Sequence, residues 1–218
     1  MRHSYSSWST FNKCPAKYKY SYILKLPRGV AGPALIRGNA VHDSIENYML
    51  NKAPEIHKDI LNKYGLFMQN LKADAVCTPE PMFLLNDKWE FVTEEKEAWV
   101  KGFLDLQVAW DDETDIYEWK TGRMYDEHSE QRMLYGLVGL LKFPEQETVE
   151  VRGVYFDQKA EDVVQHFNRE NIANFKYIWE TRFKNVENAV AKDMFPANPN
   201  FMCKYCDFTK DKGGPCQF

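Results

Sequence analysis

No stretch of this 218-residue chain is apolar enough to span a bilayer. Its uninterrupted apolar runs are only a few residues long, against the roughly 20 that a membrane helix needs. The opening Met1-Arg2-His3-Ser4-Tyr5 lacks the apolar core of a secretory leader, so an intracellular, cytoplasmic protein is expected. Cysteine is scarce, five in all, which argues against a disulfide scaffold and leaves metal binding, redox chemistry or plain burial. No repeat period or low-complexity tract is visible, and six Trp with twelve Tyr exclude global disorder. A chain of this length, 44% hydrophobic and 28% charged, buries one substantial core rather than two.

Acidic residues are missing from the first 42 positions, which hold seven basic ones (Arg2, Lys13, Lys17, Lys19, Lys25, Arg28, Arg37). The remainder carries 21 Lys and Arg against all 32 Asp and Glu, so the net charge of −4 conceals a basic section beside a body of −11. Two readings fit: a polyanion held next to an acid-lined metal site, or a solvated cationic face without a role.

Periodicity then sets out the elements. Two short helices broken at Pro15 are expected first, with Ser6 or Ser7 as a cap before Trp8 and Phe11, and with Tyr18 and Tyr22 one turn apart. A Gly/Pro loop runs from Pro27 to Gly38. Val41, Ile45, Tyr48 and Met49 recur at helical spacing, as do Ile56, Ile60, Tyr64, Phe67 and Leu71. Residues 81–85 and 89–93 read as short strands. From Leu104 to Trp110 every second residue is apolar, Asp111-Asp112-Glu113-Thr114 supplies a turn, and Ile116 to Lys120 begins a partner strand. Residues 127–142 form a helix with Leu134, Leu137, Val138 and Leu141 buried, 148–157 a strand, and 168–192 a long amphipathic helix through Ile172, Phe175, Trp179, Val186 and Val190. The tail after Pro196 is loop-like and holds three of the cysteines. The pattern is α/β.

Glu118 and Lys120, two apart on a strand, leave the same face, while Trp119 points into the other. An even turn, pairing Trp110 with Asp115, puts Asp105 opposite Lys120 and Gln107 opposite Glu118; an odd turn would send Asp105 to the wrong side. Two carboxylates brought together on a half-buried face repel, and a hard divalent cation such as Mg²⁺ or Mn²⁺ resolves the conflict. A nearby ammonium orients water or offsets phosphoryl charge. The same Glu-x-Lys also fits an ordinary solvent-facing charge pair. His42 and Glu46 share a helix face at i, i+4, as metal ligand and supporting acid or as local hydrogen-bonding groups. Gln131 and Tyr135 repeat that spacing, as substrate contacts or as a buried hydroxyl–amide pair.

In order, Gly38…His42, Gly102-Phe-Leu-Asp105, Glu118-Trp-Lys120 and Gln131-x-x-x-Tyr135 resemble the RecB-like branch of the PD-(D/E)XK nuclease superfamily. The likeness runs from the Ser7, Phe11, Cys14, Pro15 opening to the final cysteines. It implies a restriction-endonuclease-like core, with a central mixed β-sheet flanked by helices, in a single nuclease domain over 1–218. It also implies a Mg²⁺- or Mn²⁺-dependent deoxyribonuclease, an exonuclease in preference to an endonuclease, acting on DNA ends or single strands. His42, Asp105, Glu118 and the Trp119 carbonyl would hold the metal, with Asp105, Glu118 and Lys120 catalytic. Gln131 and Tyr135 would face substrate. Apart from the resemblance, the basic 1–42 section with Tyr18, Tyr20 and Tyr22 fits a held strand, by phosphate contact and stacking, or tyrosines packed in the core. Recombination or replication proteins are the implied partners. The alternative is a non-catalytic module that binds DNA ends. Cys14, Cys203, Cys206 and Cys216 resemble the cysteine set of the iron–sulfur members, such as the CRISPR adaptation nucleases and the helicase–nuclease AddB. That set would place a [4Fe–4S] cluster in an appendage formed by 1–37 and 196–218, with structural Zn²⁺, free thiols or a Cys203–Cys206 redox pair as rivals. The nine-residue gap between Cys206 and Cys216 is longer than is usual for that set. Cys77 lies outside the pattern, as a packed residue.

Overall fold

Alternation along Leu106–Ala109 and Thr114–Lys120 builds the centre of the sheet, because each strand buries one side chain in two against a helical layer. The structure, a computed structural model, describes residues 1–111, 113–158 and 162–218; Asp112, in the expected turn, lies outside them. In chain order the elements are α1 (Tyr5–Lys13), α2 (Pro15–Tyr18), α3 (Pro33–Met49), α4 (Lys58–Asp74), β1 (Val76–Pro79), β2 (Met82–Leu85), β3 (Val100–Phe103), β4 (Leu106–Ala109), β5 (Thr114–Lys120), α5 (His128–Lys142), β6 (Thr148–Tyr155), β7 (Val163–Asn168) and α6 (Ile172–Ala191). Five strands form a mixed sheet in the order β1-β4-β5-β6-β7, with β5 and β6 parallel and every other pair antiparallel, while β2 and β3 pair separately.

The chain divides into two compact units, Ala31–Lys176 and Met1–Val30 with Tyr177–Phe218. In the first, Leu106, Val108, Tyr117, Trp119, Val154 and Phe156 pack against the α3–α4 stripe of Val41, Ile45, Ile60, Tyr64, Met68 and Leu71. The opposite sheet face meets α5, where Leu134, Leu137 and Val138 are buried. Two glycines on α5 permit that approach: a Cβ at Gly136 would fall 2.3 Å from the Phe167 ring, and one at Gly139 would fall 2.7 Å from Val149. The parallel β5–α5–β6 crossover leaves the Glu118 and Lys120 face beneath α5, and places their strand end at the edge where small molecules commonly bind in such sheets.

Several expectations need correction. The turn between β4 and β5 is centred one residue earlier than proposed: Leu106 pairs with Tyr117, Gln107 with Ile116 and Ala109 with Thr114. Asp105 therefore falls across from Glu118 rather than Lys120, and Gln107 does not oppose Glu118. The shift is two residues, so side-chain parity survives. The strand expected from Leu104 to Trp110 is shorter and begins after Asp105, with β3 a separate strand in the small sheet. The loop assigned to 27–38 ends early, because Pro33 starts α3; proline suits the first turn, where its missing N–H costs nothing. Residues 89–93 hold only a bridge between Leu85 and Phe91. Strands β1, β3 and β7 are additional, and all are short or carry polar residues.

In the terminal unit, α1 is capped by Ser4 rather than Ser6 or Ser7. The Ser7 N–H donates to Ser4 Oγ at 3.1 Å and the Ser4 N–H donates to Ser7 Oγ at 3.0 Å, a reciprocal box that satisfies both donors. Trp8 meets Trp179 edge-on at 5.0 Å, with the Arg182 guanidinium 4.6 Å from both ring centres. Tyr18 is buried, stacked on Tyr22 at 5.2 Å and edge-on to Phe11 at 5.5 Å, so it serves the core and not a strand-stacking surface.

Candidate active site

Asp105 sits in the bend between β3 and β4, where its Oδ2 accepts the Trp119 N–H at 2.7 Å and ties the bend to the end of β5. Across from it Glu118 is 2% exposed. Lys120 Nζ donates to Glu118 Oε1 and, at 2.9 Å, to Gln131 Oε1. Among the described residues, Glu118 Oε2 is buried and accepts no donor, with the Asp105 carboxyl beside it. An unpaired carboxylate oxygen in such a place costs free energy until a cation or a proton reaches it.

His42, on α3, reaches the same edge from the other helical layer. Its Nε2 lies 3.1 Å from the Trp119 carbonyl oxygen, an acceptor, so that nitrogen carries the proton; Nδ1 faces Asp105 Oδ1 at 3.6 Å. Burial holds the His42 pKa below the usual 6.5, with Glu118 opposing the shift, and a neutral imidazole is the form that binds metal.

Sequence reasoning missed a fourth residue, Glu80, in the turn between β1 and β2. Its N–H donates to the Asp105 carbonyl at 3.1 Å, and its backbone adopts a left-handed φ of 48°, a conformation uncommon outside glycine, asparagine and aspartate. His42, Glu80 and Asp105 each offer a ligand atom within 4.8 Å of the others, and among the described residues no other group of histidine, cysteine and acidic side chains comes together in this way. A single acid between two prolines has no periodicity to announce it; the Pro79-Glu80-Pro81 setting, which fixes the backbone around it, was the available signal.

The electrostatics describe a site short of positive charge. Burial pushes Asp105 up to about 7, with Lys120 and the Trp119 N–H partly offsetting it. Glu118 rises to about 7 through burial and then the charge of Asp105. Glu80 also rises to about 7, through burial and then the charges of Glu46, Glu118 and Asp43. Burial pulls the Lys120 ammonium down, but Glu118 and Asp105 outweigh it and hold its pKa above 10.5. Lys120 is therefore a hydrogen-bond donor and a fixed positive charge.

Gln131 bridges Lys120 to the helix behind it, since its Nε2 donates to Tyr135 Oη at 2.9 Å. Tyr135 is buried, so this pair props the lysine from below. Glu46 acts through its charge on Glu80 and makes no part of the close group. Next to the site, Arg37 makes a two-pronged contact with Asp157 at 2.8 Å, and Asp157 Oδ2 accepts the Gly122 N–H at 2.7 Å, which fixes the chain leaving β5.

In the terminal unit, Cys14, Cys203, Cys206 and Cys216 line one apolar cavity together with Tyr20 and Phe208. All four are free thiols. The Asn198 N–H donates to Cys14 Sγ at 3.5 Å and the Asn200 N–H to Cys203 Sγ at 3.4 Å. Among the described residues, no three of these sulfurs form a group within 4.8 Å. Cys77 is half-buried on β1.

Comparison with known proteins agrees with this geometry. No curated protein matches the chain. Among solved structures, one named SSO0001 superposes with a TM-score of 0.50 at 16% identity, over 99% of this chain and 86% of the other. A protein from Eubacterium rectale named "Putative exonuclease" superposes with a TM-score of 0.59 at 10% identity, over 100% of this chain and 89% of the other. Identities so low establish a shared fold alone. The model of the PD-(D/E)XK nuclease superfamily matches residues 2–210, nearly the whole sequence, and the chain belongs to that superfamily.

Proposed function

We propose that the chain is a Mg²⁺- or Mn²⁺-dependent deoxyribonuclease acting as an exonuclease on DNA ends or single strands. The observation that carries this reading is the pair of buried carboxyls, Asp105 and Glu118, brought together beside Lys120, with Glu118 Oε2 accepting no donor among the described residues: a stable fold has no use for such a pair, whereas a divalent cation does. His42 Nδ1, Asp105, Glu118 and Glu80 are the donors that would hold the ion, and an oxygen-rich set with one imidazole suits a hard cation. When bound, such a cation supplies Lewis-acid stabilisation of phosphoryl charge and makes water acidic enough to attack at neutral pH. Asp105, held by the Trp119 N–H, and Glu118, held by the Lys120 ammonium, would be the anionic ligands. Lys120, charged and steadied by Gln131, donates to the oxygens on which negative charge develops during attack on phosphorus. A phosphodiester carries its own charge, so the carboxylates repel it until the site is neutralised, and activity depends on metal for binding as well as for chemistry.

The cysteine cavity supports a second part of this proposal, a [4Fe–4S] cluster on Cys14, Cys203, Cys206 and Cys216. These four thiols converge on one apolar cavity, and two of them accept backbone N–H groups, the kind of contact that tunes cluster-bound sulfur.

The deciding experiment is digestion of end-labelled single- and double-stranded DNA with Mn²⁺, against an EDTA control and the Lys120→Ala variant. Metal-dependent release of mononucleotides from one end, lost in the variant while its fold is retained, is the expected result. Binding without cleavage across all DNA forms would replace the enzyme with an end-binding module. Anaerobic purification giving about four iron and four sulfide per chain supports the cluster, and stoichiometric zinc refutes it.

A further inference from the structure

A groove of about 380 Å³ opens directly beside the metal-binding edge. One wall is the first two turns of α3, with Ala34, Leu35, Gly38 and Asn39, and the other is the chain leaving β5 at Thr121. Leu35, Asn39 and His42 stand at i, i+4 and i+7, so they form one stripe along the helix. Seven residues of helix cover about 10 Å, which makes the groove a track leading away from the imidazole. Its volume lies within the roughly 300–1,000 Å³ range of ordinary ligand sites.

Chemistry changes along that track. Near His42 it is charged, with Lys120 and the Asp43 carboxylate on the lining. At the far end it is neutral, with the small apolar Ala34, the 58% exposed Leu35, and the amide of Asn39. Gly38 keeps the floor low: a Cβ there would come within 3.1 Å of Thr121 Oγ1, so a larger residue would fill the groove and push against its other wall. A group that is anionic at one end, and flat, apolar and rimmed with hydrogen-bonding edges at the other, fits this gradient.

We propose that this groove is the subsite for the nucleoside flanking the scissile phosphate, with Leu35 and Ala34 against the base and sugar and Asn39 and Thr121 at their polar edges. The inference rests on the nuclease reading above and specifies how that site takes its substrate. It makes the enzyme selective for a strand end that threads along α3, because a base still paired in a duplex does not lie flat against a helix face.

The test uses the full chain with Mn²⁺ and compares two substrates: a labelled single-stranded DNA oligonucleotide, and a small aryl phosphodiester that has no nucleoside to place. Leu35→Trp fills the groove from an exposed position, and Asn39→Ala removes a polar contact without adding bulk. In Leu35→Trp the DNA rate is expected to fall at least about tenfold relative to the aryl diester rate. In Asn39→Ala the KM for DNA is expected to rise several-fold more than that for the aryl diester. Both variants should keep the far-UV spectrum and melting temperature of the parent. Equal changes on the two substrates, or unchanged DNA cleavage in both variants, would overturn the subsite while leaving the nuclease intact. A parent protein that cleaves neither substrate would overturn both.

Discussion

Replacing Asp105 by asparagine is expected to make the protein more stable and inactive at once. The carboxyl is 12% exposed and its pKa is raised from 3.8 to about 7, so the folded chain binds that proton more tightly than the unfolded chain does. The sign follows from linkage: no cost at a pH below the unfolded value, a growing cost as pH climbs from about 4 to about 7, and the full cost above that. Three units at about 1.4 kcal/mol each set a ceiling near 4 kcal/mol. Glu118 and Glu80 are held up by the same burial and by each other's charge, so neutralising one member lets the others ionise more readily, and the realised gain is about 1–3 kcal/mol. The amide keeps the geometry, since its oxygen can still accept the Trp119 N–H and its NH₂ can face His42 Nδ1. At about 2–4 °C per kcal/mol for a chain of this size, melting in EDTA should rise by several degrees at pH 8 and hardly change at pH 4.5. Added Mn²⁺ should stabilise the parent by mass action and leave Asp105→Asn unmoved. An Asp105→Asn protein that melts below the parent at pH 8 in EDTA would refute the claim that these carboxylates are held at a cost.

Glu80→Gln should weaken Mn²⁺ binding about tenfold or more by calorimetry and, by the same linkage as at Asp105, raise the melting temperature without metal at pH 8; unchanged affinity would remove Glu80 from the ligand set. Gly136→Ala should destabilise by about 2–4 kcal/mol in urea, because its Cβ would meet the Phe167 ring at 2.3 Å and α5 would have to move; a neutral result would show that the helix has slack. Cys203→Ser should lower iron content and melting temperature together in anaerobically purified protein, whereas unchanged iron would exclude that thiol as a ligand.

The parts of this site that strand parity governs were legible in the sequence. Glu118 and Lys120 share a face by the two-residue repeat, and an even turn was enough to bring Asp105 to them, although its centre was placed one residue too late. The i, i+4 spacing of Gln131 and Tyr135 was visible too, but only packing reveals that Tyr135 is buried and that Gln131 spends its oxygen on Lys120. Glu80 was hidden because a lone acid in a turn carries no period, and its approach to Asp105 depends on β1 pairing with β4. The start of α3 was hidden because Gly32 and Pro33 read equally as loop and as the mouth of a helix. The terminal strands of the sheet escaped because edge strands carry polar residues, which blurs their alternation.

If the chain is the nuclease proposed above, the parallel pairing of β5 with β6 sets when it becomes dangerous to DNA. That pair cannot close until α5 has been made and has swung across the sheet, and such distant contacts are the slow ones to form. A nascent chain that has exposed His42, Glu80, Asp105 and the Glu118–Lys120 strand still lacks Gln131 behind the lysine and β6 beside the glutamate. Cutting power thus arrives with the last long-range closure of the core, so an unfinished or locally unravelled molecule is a harmless one.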